Sequence, residues 1–411
     1  MFVKGILVGI LLLLMESSAI AEDPIHFSGF GTLAIDQNNN RGIDYISTVQ
    51  ENTGVGYTTR RSAETDSLFG VQADSNLSTS IHATVQVVSR QQSDGSATPY
   101  IEWANLQYHP LPNLMLRFGR LATNSLLMSE SREIGYSRLS LHLPDTYLSN
   151  PLAYINGADL TWHLHEGDWL WHINLDSGIQ NQSIFDYTEA VTQYHFHTNG
   201  LSLSLDRGFQ NWRVAYSRTQ ISANSNLLDN FHAALSELAA SGVSSASMIN
   251  AQTPSQGITA DFLDLAYTLR NDPWLLQAEY VNRRLNTALI QDVRGYNMLL
   301  GWTWKNLTPY VMYTRYWNIN SYQLPGLISS SQASVVAQIN AIDTLLDAPI
   351  NQANLSFGLR YDLQANIDFK LEIDHISKPA GSESAYANPT PSFIASAQSF
   401  NVIAVGMDFI F

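Results

Sequence analysis

Apolar and polar residues alternate with a period of two along most of this chain. Ile81, Ala83, Val85 and Val87 interleave with Ser80, His82, Thr84 and Gln86, and Trp169, Trp171, Ile173 and Leu175 with His172, Asn174 and Asp176. Leu355, Phe357, Leu359 and Tyr361 alternate with Ser356, Gly358, Arg360 and Asp362. Ile367, Phe369, Leu371 and Ile373 do the same against Asp368, Lys370, Glu372 and Asp374. Successive strand side chains point to opposite faces, so each segment predicts a strand with one apolar and one polar side. A soluble β-sandwich shows the same alternation, and the spacing between segments must separate the two.

Sixteen candidate strands fall near 25–36, 66–75, 77–90, 100–110, 113–121, 155–165, 168–178 and 198–206, then near 210–220, 259–270, 273–286, 292–305, 307–318, 352–363, 366–377 and 400–411. Short and long connections alternate between them. The short ones include Asp74-Ser75-Asn76, Glu166-Gly167-Asp168, Asp206-Arg207-Gly208 and Asn271-Asp272-Pro273, rich in the residues that tight turns require. The long ones cover about 37–65, 91–99, 121–154, 179–197, 221–258, 319–351 and 378–399, with 287–291 the exception in length. Tight turns on one rim and long loops on the other are the plan of an outer-membrane barrel. The predicted fold is therefore all-β: a transmembrane antiparallel β-barrel of about sixteen strands with short periplasmic turns and long extracellular loops. An even count puts both termini on the short-turn rim.

Aromatic positions agree with this plan. Tyr108, Trp162, Trp169, Trp212, Trp274, Trp302, Trp304, Tyr310 and Tyr361 lie within a few residues of a short turn, which predicts a girdle at one membrane interface. Two long loops change period. Leu227, Leu228, Phe231, Ala234, Leu235 and Leu238 recur at helical spacing, as do Val335, Ile339, Ile342, Leu345 and Leu346, so loops 221–258 and 319–351 are each expected to hold a short amphipathic helix.

Composition sets the compartment and removes some classes of function. Lys4, the apolar stretch Gly5 to Met15 and the small residues Ala19-Ile20-Ala21 read as a signal peptide over 1–21, leaving one barrel domain over 22–411. Hydrophobic residues make up 45% of the chain, yet mean hydropathy is only −0.09, the dilution expected when every second residue faces lipid. Beyond the leader no apolar stretch approaches the roughly 20 residues of a membrane helix. The net charge of −15 argues against nucleic acid as a partner. With no cysteine, thiolate metal sites and cysteine nucleophiles are ruled out.

Four segments carry a family likeness: Phe27-Ser28-Gly29-Phe30-Gly31-Thr32, Leu114-Met115-Leu116-Arg117-Phe118-Gly119-Arg120, the hairpin from Phe357 to Ile376, and the closing Val402-Ile403-Ala404-Val405-Gly406-Met407-Asp408-Phe409-Ile410-Phe411. Together they resemble the Gram-negative trimeric porin superfamily. The resemblance implies a homotrimer in outer-membrane lipid that passes small hydrophilic solutes and ions. It also implies a third long loop, here 121–154, folded into the lumen as a constriction. The Pro-Glu-Phe-type signature of enteric general porins is absent from that loop, so constriction residues are not carried over.

Candidate functional residues are those facing the lumen. If Leu116 and Phe118 face lipid, Arg117 points inward, and the same parity turns Asp159, His163, His172, Asp264, Glu279, Arg283, Arg315, Arg360, Lys370, Glu372 and Asp374 inward. Each charge on the lipid face would cost about 2–4 kcal/mol near the midplane. Arg117, Arg120, Arg132, Arg138, Arg315, Arg360 and Lys370 could form a positive wall opposite acidic groups, giving an anion preference. The alternative is a set of salt bridges across the lumen, and the sequence leaves both open.

No cofactor or metal is called for. His163-Leu164-His165 and His195-Phe196-His197 share strand faces without a completing ligand, and Asp36, Asp44 and Glu51 lack an ordered calcium loop. No nucleophile-elbow motif appears, so a passive channel is expected and not an enzyme. A solute-specific channel, a lipase-like barrel and a structural or adhesive barrel stand as the alternatives.

Overall fold

The computed structural model describes residues 25–185, 191–320 and 349–411. The expected leader over 1–21 and the expected helix at Val335–Leu346 lie outside the described residues.

Sixteen strands form the wall. The first eight are β1 (His26–Asn38), β2 (Leu68–Asn76), β3 (Ile81–Arg90), β4 (Tyr100–Leu111), β5 (Leu114–Ala122), β6 (Tyr154–Glu166), β7 (Trp169–Phe185) and β8 (Val191–Arg207). The rest are β9 (Gln210–Asn224), β10 (Ile258–Asn271), β11 (Trp274–Leu285), β12 (Asp292–Trp302), β13 (Leu307–Asn320), β14 (Asn351–Gln364), β15 (Ile367–Lys378) and β16 (Gln398–Ile410). Each pairs antiparallel with its sequence neighbour, and β1 pairs with β16 from Phe30↔Ile410 to Asn38↔Val402, so the sheet closes. Closure leaves no unpaired edge, the condition for a sheet to cross lipid. A two-residue strand, Arg61–Ser62, adds onto β1 at the loop rim.

The alternation sorts side chains by face. Leu33, Ile35, Val85, Leu106, Phe118, Leu175, Phe357, Leu371 and Val405 are exposed on the outer wall, while Thr32, Asp36, Thr84, Gln86, Asp368, Lys370, Glu372 and Asp408 are buried on the inner one. In a soluble barrel the apolar face would be the inner one, so the inversion is the direct mark of a lipid solvent. The girdle is present at the outer surface through Tyr108, Trp162, Trp212, Trp274, Trp302, Trp304 and Tyr361. Tyr310 does not belong to it: it is 5% exposed and faces the lumen. At the seam the Phe411 ring covers Gly29, where an added Cβ would fall 2.2 Å from the ring.

Two loops depart from expectation. The segment read as a loop over 179–197 is largely strand, because β7 runs to Phe185 and β8 starts at Val191. Gln180, Asn181, Gln182 and Ser183 are polar on both faces, so a strand rising clear of the membrane shows no alternation. The 221–258 loop holds the expected helix, α1 (Asn226–Ala240), and a second, α2 (Ser244–Gln252). They pack through Phe231, Leu235, Leu238, Ala246 and Ile249. Ser244, Ser245 and Ser247 hid the second helix, since serine is a modest helix former.

Candidate functional site

The chain between β5 and β6, residues 123–153, folds into the barrel and is fixed to its inner wall. It contains two short 3₁₀ turns, Gly135–Ser137 and Asp145–Ser149. Irregular backbone inside a lumen must find partners for its polar groups, and the inward residues of the wall supply them. Wall cations meet loop carbonyls. Lys370 donates to the carbonyls of Gly135, Arg138 and Ser140 at 2.8, 2.9 and 3.3 Å. Arg360 donates to those of Tyr136 and Arg138 at 2.9 and 3.0 Å, and Arg283 to that of Ser149 at 2.6 Å.

Wall carboxylates meet loop donors. Glu372 accepts the Leu141 N–H at 2.6 Å, the His142 N–H at 3.2 Å and the Tyr310 hydroxyl at 2.6 Å. On the opposite wall Glu279 accepts the Leu127 N–H at 2.8 Å and the Tyr147 hydroxyl at 3.3 Å. Contact is closest at Gly135, where a Cβ would lie 2.1 Å from Asp408 Oδ1 and 2.4 Å from Thr32 Oγ1. Only glycine lets the loop backbone approach the wall this near.

The charges offset one another. Lys370 Nζ lies 2.7 Å from Asp408 Oδ2 with neither exposed, and Arg360 lies 3.0 Å from Asp368. Arg117 joins Asp159 of β6 to Glu130 of the loop, the latter at 2.9 Å. Glu133 lies 2.7 Å from Arg90 and 3.4 Å from Arg132; burial opposes its charge, but these arginines outweigh burial and hold its carboxyl below the usual range. Among the described residues Asp145 makes no salt bridge. Burial pushes it up to about 6 even though Gln352 and Tyr386 donate to it at 2.6 and 2.9 Å.

Of the residues singled out from sequence, Arg117, Arg132, Arg138, Asp159, Glu279, Arg360, Lys370 and Glu372 are gathered inside the barrel, on its wall or on the inward loop. Two are not. Arg120 is three residues from Arg117, so strand parity puts it on the outer wall with Phe118; it donates to Asn156 and to the Ile101 carbonyl and stacks over Tyr154. Arg315 shares the outer face with Tyr313, between the buried inner residues Thr314 and Tyr316, and donates to Asn351. Both lie toward the long-loop ends of their strands, beyond the midplane where a charge is costly. The sequence-based positive wall therefore loses two members, and the remainder chiefly bind the loop.

A water-accessible cavity of about 440 Å³ lies between the loop and strands β9–β14, lined by Ser131, Arg138, Asn211, Arg270, Gln277 and Arg360 among others. Asp362 is the acid in that lining, against three arginines. Arg270 was missed from sequence because it sits beside a turn, where alternation is hardest to extend; parity with the buried Ala266 and Thr268 would have found it. Arg213 was missed also, though it pairs with Asp264 and donates to the Asn124 carbonyl. The histidine pairs read from sequence do not act as pairs: His163 meets His172 across the hairpin at 2.7 Å, and His195 meets Asn181 at 2.5 Å.

No family model and no curated protein matches the sequence. Solved structures do match the fold. A loop-deletion form of OmpT, an outer membrane protein of Vibrio cholerae, superposes with TM-score 0.54 at 10% identity over 95% of this chain and 100% of that one. OmpT of the same organism in a trimer form gives 0.50 at 11% identity, over 95% of this chain and 100% of that one. The anion-selective porin from Comamonas acidovorans gives 0.52 at 10%, again over 95% and 100%. At such identity the likeness is one of fold: the chain shares a sixteen-stranded barrel with porins of known structure.

Proposed function

We propose that this chain is a passive outer-membrane channel for small hydrophilic solutes and ions. The observation that carries the reading is the polar loop fixed inside a barrel whose outer face is apolar. A sixteen-stranded barrel is wide enough for an aqueous channel, and an inward loop narrows that channel without filling it, leaving the cavity beside Arg270. Size exclusion and lumen charge then set what passes, with no chemical step. In the cavity lining Arg360 is paired with Asp362 and with Asp368 behind it, so Arg138 and Arg270 tip the balance positive and favour anions. Local charge at the narrow point outweighs the −15 of the whole chain, because fields are screened over about 8 Å at physiological salt. Association of three barrels through their walls fits the family resemblance and the trimer form of the Vibrio neighbour.

Liposome swelling tests the reading. Proteoliposomes should swell in small sugars and amino acids at rates that fall with solute size, while liposomes that never swell above a protein-free control contradict it. Saturation by one solute would favour a solute-specific channel instead. Hydrolysis of a lipid ester, blocked by a serine-directed inhibitor, would favour an enzyme.

A further inference from the structure

His142, on the inward loop, projects into a nest of wall carboxylates. Its Nε2 lies 3.3 Å from Asp36 Oδ1 on β1 and 3.3 Å from Asp66 Oδ2, which precedes β2. Its other nitrogen, Nδ1, lies 2.5 Å from Asp374 Oδ2 on β15. All four residues are buried.

We propose that Asp36, Asp66 and His142 form a binding site for a divalent transition-metal ion, zinc by ligand type. Three independent features lead to it. First, one ring nitrogen faces two carboxylate oxygens at 3.3 Å each, a little long for a hydrogen bond. That distance matches the separation of neighbouring ligands about 2.0 Å from a tetrahedral metal, which is roughly 3.3 Å. Second, Asp66 Oδ2, the oxygen that faces Nε2, is buried with no hydrogen-bond partner among the described residues, and so is Asp36 Oδ2, beside the Oδ1 that faces the ring. Carboxylate oxygens shut away from water without a donor are costly, and a cation between the two carboxylates would satisfy Asp66 Oδ2 directly and offset the charge on Asp36. Third, Asp374 takes the Nδ1 side of the ring, and a carboxylate there fixes the tautomer that leaves Nε2 free to ligate. Asp374 is itself held by the Ser356 hydroxyl.

The donor set selects the class of ion. One imidazole and two carboxylates suit zinc, with an open fourth position for water. Calcium takes six to eight oxygens and no nitrogen, and suits the site poorly. The ligands come from β1, from the segment leading into β2 and from the inward loop, so one ion would tie that loop to the wall at the seam side of the barrel. Binding does not depend on whether the barrel conducts.

The test uses the full chain, unfolded in denaturant with a chelator, refolded in detergent, and titrated with zinc and separately with cobalt. Wild-type protein should retain one zinc per chain by elemental analysis, and cobalt should give the intense visible absorption of a tetrahedral site. Asp66→Asn should abolish stoichiometric retention, and Asp374→Asn, which keeps all three ligands, should weaken affinity about 10–100-fold. Replacing the half-buried pair near the short-turn rim, with His163→Ala and His172→Ala, should change neither. Folding of each variant is checked by its unheated gel mobility. Wild-type protein that folds without retaining zinc overturns the proposal, as it would if His142 were simply an imidazolium paired to the carboxylates. Equal retention by Asp66→Asn and Asp374→Asn overturns it too, since the metal would then sit elsewhere.

Discussion

Glu372 accepts the backbone N–H of Leu141 at 2.6 Å across 231 residues of chain, which places the tip of the inward loop directly against the wall. The same carboxylate takes the His142 N–H and the Tyr310 hydroxyl. Glu372→Ala would leave the buried His142 N–H without its acceptor, at about 1–3 kcal/mol, and the Leu141 N–H with only the Tyr310 hydroxyl at 3.3 Å. That change should leave the barrel folded and make residues 123–153 sensitive to limited proteolysis. A protease-resistant loop in this variant would mean that Glu372 is not an anchor.

Lys370 and Asp408 form a buried pair, and the two single losses are not equivalent to losing both. Asp408→Ala removes the nearer carboxylate and leaves Lys370 only Asp368, at 4.0 Å, and should cost about 3–5 kcal/mol in urea unfolding. The double change Lys370→Met with Asp408→Leu should cost less than Asp408→Ala alone, because no uncompensated charge remains. Additive single losses would contradict this.

Much of the barrel was legible because lipid imposes a strict period. All sixteen wall strands appear within a few residues of their expected bounds, except where β7 and β8 leave the membrane and the alternation fades. The inward course of 123–153 was implied by family resemblance alone, since nothing in its own residues marks it as interior. The cations were visible as residues, but their roles were not. Arg360 and Lys370 look alike in sequence whether they face solute or hold loop carbonyls, and only the loop's path separates the two. Arg120 and Arg315 depart for a simpler reason: near the loop rim the outer face tolerates a charge, so neither grouping Arg120 with the lumen cations nor extending inward parity to Arg315 holds.

Parity gives the anion preference a sharp form. Arg270 lines the cavity, while Arg120 and Arg315 sit on the outer wall. In a salt gradient, Arg270→Ala should move the reversal potential toward cation preference, and Arg120→Ala and Arg315→Ala should leave it where it was. An unchanged potential for Arg270→Ala would assign selectivity to other groups.

Asp145 sets a pH dependence on the loop. Its carboxyl is raised from 3.8 to about 6, chiefly by burial, so the folded state binds its proton more tightly than the unfolded chain does. The contribution therefore favours folding at acid pH and weakens as pH rises from about 4 to about 6. Asp145→Asn should flatten the stability profile across that window. A profile identical to wild type would show that Asp145 titrates normally.

Planar-bilayer recording of the purified protein bears most directly on the channel itself. A lumen narrowed by a firmly anchored loop predicts discrete, stable conductance steps, arriving in triplets if three barrels insert together. Bilayers that stay silent despite folded, inserted protein would contradict the channel.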